Sequence, residues 1–416
     1  MQVGPQGGEA RDAAPSRDAA RRRVLFLESS VGGGVIGGSL TGILELLPHL
    51  DADRWSASLV VAEPKPTLDL PGVPVHVLTP RRGSGGVDRG PLPVRVLRRA
   101  SEVFGIVMPR ARELMPLFER ERPDVVYLAS GLTSNLAGAI AAARSGVPVV
   151  CHFKGFRRVG PIDRWCSRWI DTAITMTDEI GAHYRERRVR ARRFVTIYDG
   201  IDVARFATGG GTNVRRELGI PGDVPCVGIV GHVQGWKGQL LVVEAVARAR
   251  RRIPDLHCLV VGGVHRLGAE YAERLKERVA APDLAGSVIL AGARRDVAAC
   301  MDAMDVVVHA SNREPFGRVL LEAMAATRPV IAPREGGPLE IVADGDTGVL
   351  VPPRDPDALA AAIVSLLEDP GRRAAMARAA RARVAARFDI RQHAREVEAV
   401  LDDVLRHRTG GLRHDA

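Results

Sequence analysis

The sequence predicts an α/β protein made of two doubly wound parallel-sheet domains, and three observations carry that prediction. The chain has 416 residues, 46% of them hydrophobic, enough to fill two sizeable cores. Short β-branched runs alternate with amphipathic helical stretches along almost all of it, the pattern of parallel strands joined by helical crossovers. The alternation also comes in two series, separated near residues 198–206 by the polar stretch YDGIDVARF.

Residues 1–21, rich in Gly, Ala, Pro and charge, have the composition of a disordered tail. The first domain, residues 22–200, opens on the strand RVLFLES, continues through a helix over GGSLTGILELLPHL, and returns to strands at SASLVVAE and VPVHVLT. RGSGGVDRGPL, residues 82–92, breaks the rhythm and reads as a mobile loop. Strands at PDVVYLA, VPVVCHF and TAITMT follow, with LAGAIAAARSG as the helix between the first two. The second domain, residues 201–385, holds six strand-like runs: CVGIVG, LHCLVVGG, SVILAG, DVVVHAS, PVIAP and GVLVP. Strongly amphipathic stretches close the chain, and residues 386–416 read as a last helix and tail that pack on the second domain or cross back to the first.

The formal net charge of +10 is uneven: 30 basic against 22 acidic residues over 1–205, and 29 against 27 beyond. Arginines gather in RRASEVFGIVMPRAREL and HYRERRVRARRF, which suits a solvated helix face, an anionic acceptor or peripheral contact with a membrane surface. With 4% aromatic residues and no zinc-finger or RRM-type motif, nucleic acid is not an expected partner. The five cysteines, Cys151, Cys166, Cys226, Cys258 and Cys300, lack C-x-x-C spacing and read as reduced structural thiols. No uncharged apolar run of about 18 residues and no apolar leader stands out, so the expectation is a cytoplasmic protein without a transmembrane segment.

In open parallel α/β sheets, ligands bind outside the carboxyl ends of the strands, where loops carry polar groups and helix N-termini point inward. Five strand-like runs of the second half place small or charged residues there. CVGIVG leads to His232 and Lys237, LVVGG ends in Gly262 and Gly263, and SVILAG runs into Arg294 and Arg295. DVVVHAS leads to Glu314 and Gly317, and PVIAP to Glu335 and Gly336. Within EPFGRVLLE, Pro315 keeps Glu314 out of a helix, so the helix starts near residues 316–318 and Glu322 lies about one turn inside. The free N–H groups of Gly317, Arg318 and Val319 then form a phosphate site between the two acids, with Lys237 supplying a full charge. Glu322 is suited to accept from ribose hydroxyls.

These residues resemble the retaining nucleotide-sugar glycosyltransferases of family four, whose GT-B fold pairs two facing Rossmann-like domains. EPFGRVLLE matches the family's E-x7-E motif. VGIVGHVQGWKGQ, LVVGG, ILAGARRDVAACMDAMDVVVHAS and PVIAPREGGPLEIVADGDTGVLVPPRDPDALAAAI follow in the family's order. The resemblance runs from residue 23 to nearly the end of the chain, dense after 195 and looser before. It implies Glu314 as the acid that approaches the transferred sugar, Glu322 as the ribose ligand and Lys237 as the diphosphate lysine. It further implies Gly317 to Val319 as the phosphate cradle, and Arg294, Arg295 and Val297 around the nucleobase. In the first domain the glycine loop VGGGVIGG, with Gly33 and Gly34, corresponds to the loop that approaches donor phosphate and acceptor.

The chain departs from the family at two places. His232 stands where an arginine commonly partners the diphosphate lysine, and a neutral imidazole offers one hydrogen bond but no charge. In VPVVCHFKGF, either His152 or Lys154 could meet the reacting centre. The D-x-D pairs Asp51/Asp53 and Asp344/Asp346 sit between helix and strand and read as turns, so no essential metal and no other cofactor is expected. The expected activity is retaining transfer of a sugar from a nucleoside-diphosphate sugar to an acceptor hydroxyl. The alternatives are a nucleotide-sugar 2-epimerase and a catalytically silent nucleotide-sugar-binding partner. The acceptor stays open among lipid-linked saccharides, polysaccharides, phosphoinositol-like molecules and secondary metabolites, with the basic first half favouring an anionic one.

Overall fold

The computed structural model describes residues 21–29, 38–65, 68, 70–80, 101–207, 209–284 and 286–411. The tail, the glycine loop with Gly33 and Gly34, and the 82–92 segment lie outside these residues.

Seven parallel strands form the first sheet: β1 (Arg22–Glu28), β2 (Trp55–Val61), β3 (Val75–Val77), β4 (Val125–Leu128), β5 (Val149–Phe153), β6 (Thr172–Thr175) and β7 (Arg193–Thr196). They lie in the order β3-β2-β1-β4-β5-β6-β7. The six strands of the second sheet are β8 (Cys226–Val230), β9 (His257–Val261), β10 (Val288–Gly292), β11 (Val306–Val308), β12 (Val330–Pro333) and β13 (Gly348–Val351). Their order is β10-β9-β8-β11-β12-β13, again all parallel. The central strands β4, β5, β6 and β12 are buried along their whole length, which is why they read as near-continuous apolar runs instead of alternating ones.

All six second-domain strands fall on the runs picked out in the sequence. β7 was not among the expected strands: its residues, Arg193–Thr196, merge into the polar linker, and as an edge strand it carries a weaker apolar signal.

The strand order reverses between β1 and β4 in the first sheet and between β8 and β11 in the second. Each reversal sends flanking loops apart and opens a crevice at the strand ends. The chain passes between domains twice, side by side: Ile201 N donates to Phe388 O at 2.9 Å, and Ile390 N donates to Ile201 O at 3.0 Å. The second passage delivers the long final helix, Ile390–Gly411, to the first domain. There Ala394, Val397, Leu401 and Val404 join Val24 and Phe26 of β1 in one apolar cluster. Arg54 anchors the same helix through Glu398 at 3.0 Å.

Both D-x-D pairs are turns. Asp51 Oδ1 accepts from Asp53 N at 3.0 Å, and Asp344 Oδ1 accepts from Leu350 N at 2.8 Å. The five cysteines are buried free thiols.

Candidate active site

The second sheet's reversal point brings the loops after β8 and β11 together. Lys237, at the end of a short 3-10 turn (Gly235–Lys237), places Nζ 2.8 Å from Oε2 of Glu314 and 4.0 Å from the centroid of the Trp236 ring. Gly238 makes this approach sterically feasible. Its φ is +79°, and a Cβ there would lie 2.2 Å from the carbonyl oxygen of Ala310 in the β11 loop. A hydrogen bond of 2.8 Å from Asn312 N to Trp236 O joins the same two loops.

Glu314 is pinned by its backbone as well. Its carbonyl accepts from Gly337 N at 2.8 Å, and the preceding Arg313 N donates to Glu335 Oε1 at 2.9 Å. Burial works against the Glu314 charge, yet His309, in acid where its ring is protonated, and Lys237, charged throughout, outweigh it and hold the carboxyl below its ordinary value. Glu314 is therefore an anion fixed in place before any ligand arrives.

The helix Arg318–Ala325 begins immediately after, with Gly317 as its N-cap in the left-handed region at φ +109°. Its first-turn N–H groups open at the crevice. Glu322 lies one turn in, and burial pushes its carboxyl above the usual value, against the pull of Arg318. Arg318 does more than lend a backbone N–H. Its guanidinium ion-pairs with Glu45, on the first-domain helix Gly38–Leu46, and lies 3.7 Å from Asp199.

Asp199 sits at the first domain crossing and holds Lys154 Nζ at 3.1 Å. Burial opposes its charge, but Lys154 and Arg318 keep the carboxyl far below the ordinary range. Lys154 follows β5 and carries a first-domain positive charge to the inter-domain pair with Asp199. His152, two residues earlier, is fully buried: Nδ1 lies 2.6 Å from the Tyr127 hydroxyl, and burial, with Lys154, lowers its pKa well below normal. Of these two residues, Lys154 reaches the inter-domain charges and His152 packs behind it.

Around this centre, His232 is exposed, its ring 6.1 Å from that of His265. Gly262, at φ +148°, passes so close to Gly231 that a Cβ would lie 2.0 Å from its carbonyl oxygen, and Gly263 adjoins Ala293. Arg294 is clamped by Asp296 at 2.8 Å and by Glu217 at 3.0 Å, Arg295 is exposed, and Val297 begins the helix Val297–Asp302. The domains meet closely at the rim: a Cβ on Gly155 would lie 3.6 Å from Pro315, and Glu340 accepts from Asp178 N at 3.0 Å at the start of the helix Asp178–Glu186.

The comparisons with known proteins meet this geometry. Residues 37–200 match the Glycosyl transferase 4-like domain, and residues 212–383 match Glycosyl transferases group 1. The chain belongs to the glycosyltransferases.

Its relatives include a protein of Stackebrandtia nassauensis named D-inositol 3-phosphate glycosyltransferase, 29% identical over 98% of this chain and 97% of that one. Proteins of the same name from Kineococcus radiotolerans and Corynebacterium urealyticum are 38% and 36% identical, over 45% and 44% of this chain. In those two alignments the chain spans about half of the relative, 47% and 45%. Among solved structures, Anabaena Alr3699/HepE in complex with UDP and glucose superposes with a TM-score of 0.75 at 24% identity, over 92% of this glycosyltransferase and all of that chain. Sucrose-phosphate synthase from Thermosynechococcus elongatus gives 0.76 at 22% identity, over 93% and 100%. These likenesses establish the GT-B fold.

Reading the sequence missed Glu45, Asp199, His309 and His393. His309 directly follows the apolar run of β11 and could have been found by the strand-end rule. Glu45 and His393 are helix residues whose partners lie far away in the chain, and nothing local marks them.

Proposed function

We propose that this glycosyltransferase moves a sugar, with retention of configuration, from a uridine-diphosphate sugar to a hydroxyl of an anionic acceptor of the inositol phosphate class. The carrying observation is the Lys237–Glu314 pair, at the strand reversal and beside the free N-terminus of the helix Arg318–Ala325. A diphosphate laid on the N–H groups of Gly317, Arg318 and Val319 gains the helix-end field and the Lys237 charge. Breaking the sugar–phosphate bond leaves negative charge on the diphosphate, and these fixed positive groups stabilise it where it develops. Glu322 accepts from the ribose hydroxyls and Glu314 from the sugar. The exposed imidazole of His232 donates one hydrogen bond to a phosphate oxygen, and the segment from Arg294 and Arg295 to Val297 borders the base, with Gly262 and Gly263 nearby.

Attack on the face the diphosphate leaves lets a donor phosphate oxygen take the acceptor proton, so no protein base is required and configuration is retained. Lys237 and the helix end fill the role a divalent cation would otherwise have. Lys154, held by Asp199, faces the acceptor side.

The acceptor class rests on the name of the Stackebrandtia relative and on the basic first domain. Among that domain's exposed groups, Arg168 stacks 3.6 Å over Trp165, with Arg157, Arg158 and Arg164 close in sequence. This surface also suits peripheral contact with an anionic bilayer from the cytoplasmic side. No helix among the described residues is long and apolar enough to cross a membrane.

The test pairs UDP-, GDP- and ADP-sugars with myo-inositol phosphate, neutral inositol and phosphoinositide vesicles, with and without EDTA. Nucleoside diphosphate release is expected only with a UDP-sugar and an anionic acceptor, unchanged by EDTA, with an α-linked product from an α-donor. Donor conversion without acceptor would show an isomerase instead, and donor binding without turnover a silent binding protein.

A further inference from the structure

His309 closes the β11 run DVVVHAS and turns its ring toward the same carboxylate that Lys237 engages. Its backbone is fixed by a 2.8 Å hydrogen bond from its N–H to Ile331 O, which extends the β11–β12 ladder by one step. The side chain is 4% exposed, and its Nε2 is buried without a hydrogen-bond partner. That nitrogen lies 3.4 Å from Oε2 of Glu314, near enough to interact but not aligned for a hydrogen bond. A buried polar atom left unsatisfied is costly, and such atoms concentrate where a second state of the molecule uses them.

The geometry supplies that second state. In the empty site Oε2 of Glu314 is already served by Lys237 at 2.8 Å. A diphosphate at the mouth of the Arg318–Ala325 helix competes for the same ammonium. As Lys237 turns to the phosphates, Glu314 loses the 2.8 Å contact that fixes its Oε2, and the groups left beside the carboxylate are His309 and the buried Ser311 hydroxyl. A small rotation of the carboxylate then aligns Oε2 with Nε2–H of His309.

We propose that His309 is a positioning residue for Glu314, taking over its carboxylate as a hydrogen-bond donor when Lys237 engages the donor diphosphate. Burial keeps the imidazole neutral, with its pKa lowered to about 4, so the ring acts as a donor through the Nε2–H tautomer and brings no competing charge to the phosphate site. This inference rests on the proposed function, since it assigns the sugar to Glu314 and the diphosphate to Lys237.

Two variants test it. His309→Leu removes the donor at similar volume, and His309→Gln places an amide N–H near the position of Nε2. Expected for His309→Leu is a fall in kcat of about tenfold to a hundredfold, the range for a hydrogen bond to a charged group. Donor KM and the Kd for nucleoside diphosphate should stay within about threefold, and His309→Gln should recover most of kcat. Wild-type kcat in His309→Leu would overturn the proposal, and so would equal losses in the two variants with matching drops in melting temperature, the mark of a packing role. If His309→Leu fails to fold, His309→Gln decides alone: retained kcat supports the proposal, and loss of kcat in a folded protein overturns it. Absence of transfer by the wild-type protein from any nucleotide sugar would instead sink the proposed function, so the two failures are distinguishable.

Discussion

At the scale of single residues, Lys237 and Glu314 form a nearly buried ion pair, and such a pair is worth more to function than to stability. Taking both charges out of water costs about what their attraction returns, whereas removing one partner leaves an unbalanced charge. The two deletions should therefore differ. Glu314→Ala frees Lys237 for the phosphates, so the affinity for UDP should hold or rise while transfer falls by about a hundredfold or more. Lys237→Ala removes the charge that stabilises the leaving group, so UDP affinity and kcat should both fall, kcat by about a hundredfold to a thousandfold. Calorimetric titration with UDP beside initial-rate measurements separates the two, and a loss of UDP affinity in Glu314→Ala would contradict the assignment. The E-x7-E pair was legible because Pro315 and the helix start are local facts. Asp199 was not, because its significance comes from Lys154, 45 residues earlier in the chain, and from Arg318 in the other domain.

At the scale of elements, the site depends on turns that let two loops touch. Gly238 caps the Lys237 turn at φ +79°, with no room for a Cβ against Ala310. Gly238→Ala forces both a left-handed alanine and a backbone clash. It should destabilise the protein by on the order of 2 kcal/mol and move Lys237 off Glu314, so that UDP affinity falls even where the protein remains folded. Denaturant melts and UDP titration of the same preparation check both parts, and an alanine variant with wild-type UDP affinity would show that the close approach is dispensable. The six strands of the second sheet were legible because each holds an unbroken apolar run bounded by the small residues its strand end requires, even the half-exposed edge strand β10. β7 was not legible, because RFVT begins on an exposed arginine, has only two apolar residues and runs into the polar domain crossing.

At the scale of the whole molecule, a polar cluster lies at the point where the chain crosses between domains. His152 lies near the end of β5, Asp199 occupies the first crossing, and His393 comes from the final helix, donating through Nδ1 to Tyr198 O at 2.8 Å. The two imidazole rings lie 6.4 Å apart. Burial lowers the pKa of both histidines, His393 to about 4, with Lys154 adding to the effect and Asp199 opposing it. The sign of the pH effect follows from proton counts. Between about pH 6.5 and pH 4 the unfolded chain binds a proton at His393 and the folded chain does not, so stability falls as pH falls across that window. With a folded pKa of about 4 against the ordinary 6.5, His393 alone should cost about 2 kcal/mol at pH 5 relative to neutral pH. Asp199 acts below this window: its depressed pKa stabilises the fold at every pH above the normal carboxylate range, and that contribution is lost only in stronger acid. His393→Asn keeps an N–H for Tyr198 O but cannot titrate. Urea melts at pH 7.5 and pH 5 should therefore show a smaller acid penalty in the variant than in the wild type, by about 2 kcal/mol. Equal penalties would mean that His393 is already protonated in the folded state, paired with Asp199, and that the domain crossing is held by charge instead of by a neutral buried cluster.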